Sequence, residues 1–155
     1  MSAFGVRAEP RSVHWAVVTG TVRRPQLHAV GTETAPNAYS EGESLAWIRQ
    51  RVMYILETYK PQRAAVRYPE RTAPGANKDS AKARCRVEGV ALEAASATNL
   101  ETVTGTLNTF AKHFGTDSAK AELASSDLRG LDWSNHTDIK LREAIFVAAS
   151  VLPEG

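Results

Sequence analysis

Val13-His14-Trp15-Ala16-Val17-Val18-Thr19-Gly20-Thr21-Val22 decides the fold. β-branched and aromatic residues crowd this stretch, as suits a strand with buried surface. Upstream, Phe4 to Glu9 reads as a shorter strand, interrupted by Pro10-Arg11. Downstream, Arg23-Arg24-Pro25-Gln26 reads as a turn, and Leu27 to Thr34 returns as a third strand. Three consecutive strands on short connections predict an antiparallel meander.

After Ala35-Pro36-Asn37 the pattern changes. Ser40 and Glu43 have the spacing of a capping box, so a helix is expected to start there. Leu45, Ile48, Val52, Ile55, Leu56 and Tyr59 share one helical stripe, and Lys60-Pro61 closes it. Arg63 to Tyr68 is a short apolar run. A helical crossover precedes it, so it is expected to lie parallel to the first strand. Thr72 to Asn77 is a loop, and a second helix from Asp79 to Thr98 follows, with a small-residue stripe of Ala83, Val87, Val90, Ala91 and Ala94. Leu100 to Thr106 alternates Val and Thr as a last strand. Thr109 to Leu128 has no clear pattern, and Leu131 to Asn135 reads as a loop. A closing helix from Thr137 to Leu152 carries Leu141, Ala144, Ile145, Ala148 and Leu152. The order βββαβαβα predicts a five-stranded mixed sheet with helices on both faces.

Composition bounds the function. The chain has 155 residues, 43% of them hydrophobic, which suits one domain spanning 1–155. Nineteen basic residues against seventeen acidic ones leave a net charge of +2, too small for a polycation that coats nucleic acid. Cys85 is the single cysteine, so an internal disulfide and a cysteine-rich zinc site are excluded. No stretch approaches the roughly 20 apolar residues that cross a bilayer, and the N-terminus lacks an apolar signal core. A reducing, cytoplasmic setting without a membrane partner is the expectation. There is no P-loop, no G-x-G-x-x-G and no nucleophile elbow.

Asn77-Lys78-Asp79-Ser80-Ala81, followed by Gly89-Val90-Ala91, resembles the N-x-D-S-A and G-V-A elements of RuvC-type Holliday-junction resolvases, a branch of the RNase H-like fold. Tyr59-Lys60-Pro61-Gln62-Arg63-Ala64-Ala65-Val66 resembles that family's entry into the fourth strand. Arg142-Glu143-Ala144-Ile145-Phe146-Val147-Ala148 resembles its last helix. The resemblance spans nearly the whole chain. It implies an RNase H-like fold and, in an active member, acids that hold two divalent metals around a phosphodiester.

The positions that correspond to those acids depart from the pattern. Gly5-Val6 is followed by Arg7, Val66 is followed by Arg67, and Lys140 stands three residues before Glu143, which alone keeps a carboxylate. Three cations beside one anion repel the ions they would have to hold. The resemblance therefore implies a catalytically degenerate protein that binds nucleic acid or a nucleoprotein partner without cutting, with no metal and no cofactor. Two alternatives stand beside it. One is a structural or interaction module, as a homodimer. The other is a Mg²⁺-dependent endonuclease in which the stray acids Glu9, Glu70 and Asp138 join Glu143. The four positions themselves read either as an anion pocket or as a structural ion network, the commoner arrangement.

Charge is unevenly spread. Lys60 to Glu88 holds eight cations and three acids, a local +5, so the remainder is acidic by three. Lys78, Lys82 and Arg86 recur at i, i+4 on one helix face, and with Arg71 they are the candidates for phosphate contacts on DNA or RNA. A solvated face explains the same spacing. His14, His28, His113 and His136 lack metal-ligand spacing and are expected at surfaces or turns. Cys85 is expected to be a buried packing residue. Trp15, Trp47 and Trp133 are expected in the core or an interface, with Trp133 a candidate contact anchor in a loop.

Overall fold

The computed structural model describes residues 1–70 and 78–155. Strands β1 (Ser2–Glu9), β2 (Ser12–Gly20) and β3 (Pro25–Thr34) form the meander, and α1 (Glu41–Tyr59) follows. Then come β4 (Arg63–Arg67), α2 (Asp79–Ala97), β5 (Glu101–Gly105), α3 (Leu107–Phe114), α4 (Ala119–Leu123), the short strands β6 (Asp127–Leu128) and β7 (Leu131–Asp132), and α5 (Ile139–Ser150). The sheet runs β3-β2-β1-β4-β5, with β1 antiparallel to β2 and parallel to β4, and β4 parallel to β5. This is the mixed five-stranded sheet expected from the element order.

Strand alternation gives the sheet two apolar faces. Phe4, Val6, Ala8, Val13, Trp15 and Val17 pack with Ile48, Val52, Ile55 and Leu56 of α1 and Val87, Ala91 and Ala94 of α2. Ala3, Ala16, Val18 and Ala65 face the opposite way, against α5 together with Phe110, Phe114 and Trp133. The central turns of α5 are buried on every side, from Glu143 to Ser150. Its contact with β1 is close because Gly5 has no side chain. A Cβ there would collide with the Ala144 carbonyl oxygen and lie 2.8 Å from the Ala148 nitrogen.

Local signals set the helix starts. Ser40 and Glu43 form the expected capping box on α1, and Lys60 closes that helix in the left-handed region at φ 49°. Thr106 caps α3, and Gly115 ends it at φ 83°. Most of α3, and α4 after it, lie in the stretch from Thr109 to Leu128 where the sequence showed no clear pattern. The expected loop at Leu131 to Asn135 instead begins with β7, whose hairpin turns through Arg129 and Gly130, both at positive φ. Trp133 is fully buried in the core and so is not a surface anchor. Cys85 is exposed and not packed, because its position falls off the Val87–Ala91–Ala94 stripe.

Candidate functional site

The parallel strands β1 and β4 end side by side, and the first turn of α5 crosses their C-terminal ends. Odd-numbered residues of β1 face α5, so Arg7 and Glu9 point to that helix, and Arg67 on β4 does the same. Lys140 and Glu143, three apart, lie on the facing side of α5. The sequence placed Arg7, Arg67, Lys140 and Glu143 together, and the structure divides them into two adjoining clusters.

In the first cluster, Glu143 receives two arginines. Arg7 Nε lies 3.3 Å from Glu143 Oε1 and 3.4 Å from Oε2, where it donates a hydrogen bond. Arg67 Nε lies 3.1 Å from Oε1, off the line a hydrogen bond needs. The contact is thus one of charge alone, and both Arg67 Nε and Glu143 Oε1 are buried without a hydrogen-bond partner among the described residues. Glu143 and Arg67 are 6% and 9% exposed. Burial pushes the Arg67 guanidinium below its ordinary value, with the Glu143 charge opposing and the Arg7 charge adding to the fall.

In the second cluster, Lys140 leaves Glu143 and pairs with Glu9. His14, the ladder partner of Arg7, places Nε2 2.5 Å from the other Glu9 oxygen and Nδ1 2.9 Å from Thr32 Oγ1. His14 is buried, not at a surface or turn as expected. Burial works to raise the Glu9 carboxyl. Hydrogen bonds to Lys140 and His14, and their charges, outweigh it and bring the group from 4.5 down to about 2.

A third pair joins from α2, and sequence reasoning missed it. Arg84 Nε donates to Glu88 Oε2 at 3.1 Å, one helical turn apart, and Glu88 is 2% exposed. Burial lowers the Arg84 value, and the charges of Arg7 and Arg67 lower it further. Burial raises the Glu88 carboxyl, against the pull of Arg84. The i, i+4 spacing of Arg84 and Glu88 was the available signal. Their reach toward β1 and β4 is set by how α2 is rotated about its axis, which the spacing does not give.

The stray acids have other work. Glu70 Oε1 accepts the Leu107 N–H at 3.1 Å at the start of α3. Asp138 caps α5 by accepting the Lys140 N–H at 2.9 Å. Glu9 is occupied by Lys140 and His14. Among the described residues, no three His, Cys, Asp or Glu side chains converge as a metal site. The one retained carboxylate, Glu143, faces two guanidinium groups, so the donor set present does not fit a pair of divalent cations. The arrangement suits the opposite charge. Beside it lies a cleft of about 540 Å³ at the ends of β4 and β5, lined by Tyr68, Glu70, Thr104, Thr106 and Thr109.

On α2, Lys78, Lys82 and Arg86 are exposed. Arg86 is paired across to α1, with Nε 2.9 Å from Glu41 Oε2. Arg71 lies outside the described residues, as do the expected loop at 72–77 and Asn77. No helix among the described residues is long and apolar enough to cross a membrane.

No family model and no curated protein matches the sequence. Solved structures do match in shape. RuvC of Thermus thermophilus in complex with a Holliday junction substrate aligns with a TM-score of 0.78 and 17% identity, over 97% of this chain and 91% of that one. A second Thermus thermophilus RuvC structure gives 0.77 and 19%, over 97% and 92%. The yeast mitochondrial Holliday junction resolvase gives 0.64 and 9%, over 96% and 77%. At such identities the likeness is one of fold, and together with the strand order it shows that this chain has the RuvC-like form of the RNase H fold.

Proposed function

We propose that this chain is a RuvC-like protein that binds nucleic acid and does not cleave it. One observation carries the reading. At the ends of β1 and β4, where the resemblance calls for metal-binding acids, Arg7 and Arg67 converge on Glu143 with Arg84 beside them. A site that holds a phosphodiester through two metals is electropositive only when loaded. Here the positive charge is covalently part of the chain. The same phosphates are attracted, but no metal-activated water is generated, so attraction and hydrolysis separate. The fold supports the reading, since one of its structural neighbours is a RuvC bound to a Holliday junction substrate. Lys78 and Lys82 on the exposed side of α2 extend the basic surface. The lone exposed thiol of Cys85 fits a reducing, cytoplasmic setting.

The test is a four-way DNA junction titrated at graded salt, then incubated with Mg²⁺ or Mn²⁺. The expected result is an affinity that falls linearly in log–log form with salt, and intact DNA after incubation. Absence of salt-sensitive binding at low ionic strength overturns the binding half. Strand scission that disappears in Glu143→Gln overturns the non-cleaving half.

A further inference from the structure

We propose, resting on the nucleic-acid reading for the ligand's source, that a tetrahedral oxyanion docks directly on Arg67 and Arg84, backed by Arg7, with no metal ion between. Among the described residues three guanidinium groups, Arg7, Arg67 and Arg84, act on one another here, and the carboxylates of Glu143, Glu88 and Glu70 all act on Arg67. Arg67 is largely buried, and a buried charged donor left without a hydrogen bond is unfavourable.

The hydrogen bonding says where the missing anion belongs. Among the described residues Arg67 donates no hydrogen bond, and its Nε is buried. Arg84 spends Nε on Glu88, while its Nη2 is buried without a partner among the described residues. Glu143 does not satisfy Arg67: Arg7 donates to its Oε2, and Arg67 Nε lies 3.1 Å from Oε1 off the line of a hydrogen bond. A guanidinium presents its donors as a planar fork, and two forks with open donors match the oxygens of a phosphate group.

A cleft lies beside the end of β4. Arg67 and Gly105 are ladder partners, and the cleft opens at Gly105 and at Tyr68, the residue after Arg67. Its wall carries the hydroxyl groups of Thr104, Thr106 and Thr109. The acid among its described lining residues, Glu70, accepts from the Leu107 N–H. None of the three arginines lines the cleft, and in the proposal it receives the sugar next to a backbone phosphate seated on them. A free phosphate ion needs only the arginines.

The experiment uses the full chain and inorganic phosphate, titrated against melting temperature and by calorimetry at constant ionic strength set with chloride. Saturable stabilisation by phosphate is expected in the wild type. Arg67→Gln and Arg84→Gln should each bind phosphate about tenfold or more weakly, as the loss of a charge-assisted hydrogen bond implies. Arg67→Lys keeps the charge but not the fork, and should also weaken binding, which covers the case of a Gln variant that does not fold. Arg49→Gln, at an exposed pair with Glu93, should bind phosphate as the wild type does.

A four-way junction then separates the two sources. Competition by phosphate at fixed ionic strength, with weaker junction binding in Arg67→Gln, supports a backbone phosphate in the pocket. Arginine-dependent phosphate binding without any junction binding supports the pocket and defeats the nucleic-acid reading. A wild type that does not respond to phosphate, with junction affinity unchanged in Arg67→Lys and Arg84→Gln, overturns the pocket while leaving nucleic-acid binding standing.

Discussion

Arg142, on the first turns of α5, and Arg67, on β4 against the next residue Glu143, are used in opposite ways. Arg142 donates from Nε to the His136 carbonyl at 2.6 Å and from Nη1 to the Leu123 and Ser125 carbonyls at 3.0 and 3.1 Å. Its Nη2 donates to the Trp133 carbonyl at 3.2 Å, and its guanidinium lies 4.8 Å from the Trp133 ring centre. Every nitrogen is occupied, and the loop between α4 and α5 is tied down. Arg67 is the more buried of the two but donates no hydrogen bond among the described residues and meets carboxylates, Glu143 first, by charge alone. The fold can satisfy an arginine fully where carbonyl groups are within reach. Open donors in the same molecule thus mark a place where local structure does not account for the side chain. Around Arg142 the chemistry is complete, and around Arg67 it awaits an anion.

The sharpest break of this comparison is Glu143→Gln. The amide keeps the shape but removes the only anion that touches both Arg7 and Arg67 among the described residues. Stability should fall by about 3 kcal/mol, toward the low end for a buried pair deprived of one partner. Added phosphate should recover part of that loss in urea unfolding. Arg142→Ala comes next, at about 2–3 kcal/mol for several carbonyls left without a charged donor. Phosphate should recover none of it, because those partners are neutral oxygens. Equal responses of the two variants to phosphate would erase the distinction between them.

The sequence carried the large features because periodicity and caps encode them. The meander and the Ser40–Glu43 box lie where their residues said, whereas α5, expected to bury one stripe, is buried on every side from Glu143 to Ser150. The pairing of Arg7 and Arg67 with Glu143 also followed, since strand alternation and helix spacing fix which side chains share a face. Lys140 was misassigned. It stands three residues before Glu143, but Glu9 is within its reach and is further held by His14, so the lysine turns there. The Arg129-Gly130 hairpin was missed because arginine at φ 51° is not a usual residue for a turn that needs positive φ. The Asp127 carboxylate helps hold it by accepting the Gly130 N–H at 2.6 Å. Arg84 and Glu88 entered the sequence reading only through the charge count of Lys60 to Glu88, and the packing of α2 brings them to the site.

A smaller effect tests the second cluster. Glu9 titrates at about 2 in the folded chain against an ordinary 4.5. A depressed carboxyl stabilises the fold above its unfolded value and loses that contribution as pH falls through the folded one. The loss therefore belongs between pH 4.5 and 2. Solvent screening at this partly exposed group reduces it to about 1–2 kcal/mol. Urea unfolding across that window should show wild-type stability dropping toward that of Glu9→Gln. Parallel curves would mean that Lys140 and His14 do not hold the carboxylate as drawn.

The smallest effect on stability is expected on the exposed face of α2, where function should change and folding should not. Lys78 and Lys82 have no acidic partner within ion-pair distance among the described residues, whereas Arg86 is tied to Glu41 at 2.9 Å. An exposed pair of that kind contributes about 0–1 kcal/mol, so all three alanine variants should melt close to the wild type. Their junction binding should differ. Taking away a phosphate interaction made by Lys78 or Lys82 should flatten the slope of log K against log salt by roughly 0.7–0.9. Arg86→Ala should change it less, because its charge is already neutralised by Glu41. A slope that drops most in Arg86→Ala would show that the pair opens to let the arginine reach the phosphates. An unchanged slope in Lys78→Ala/Lys82→Ala would confine the DNA-binding surface to the arginine corner at the ends of β1 and β4.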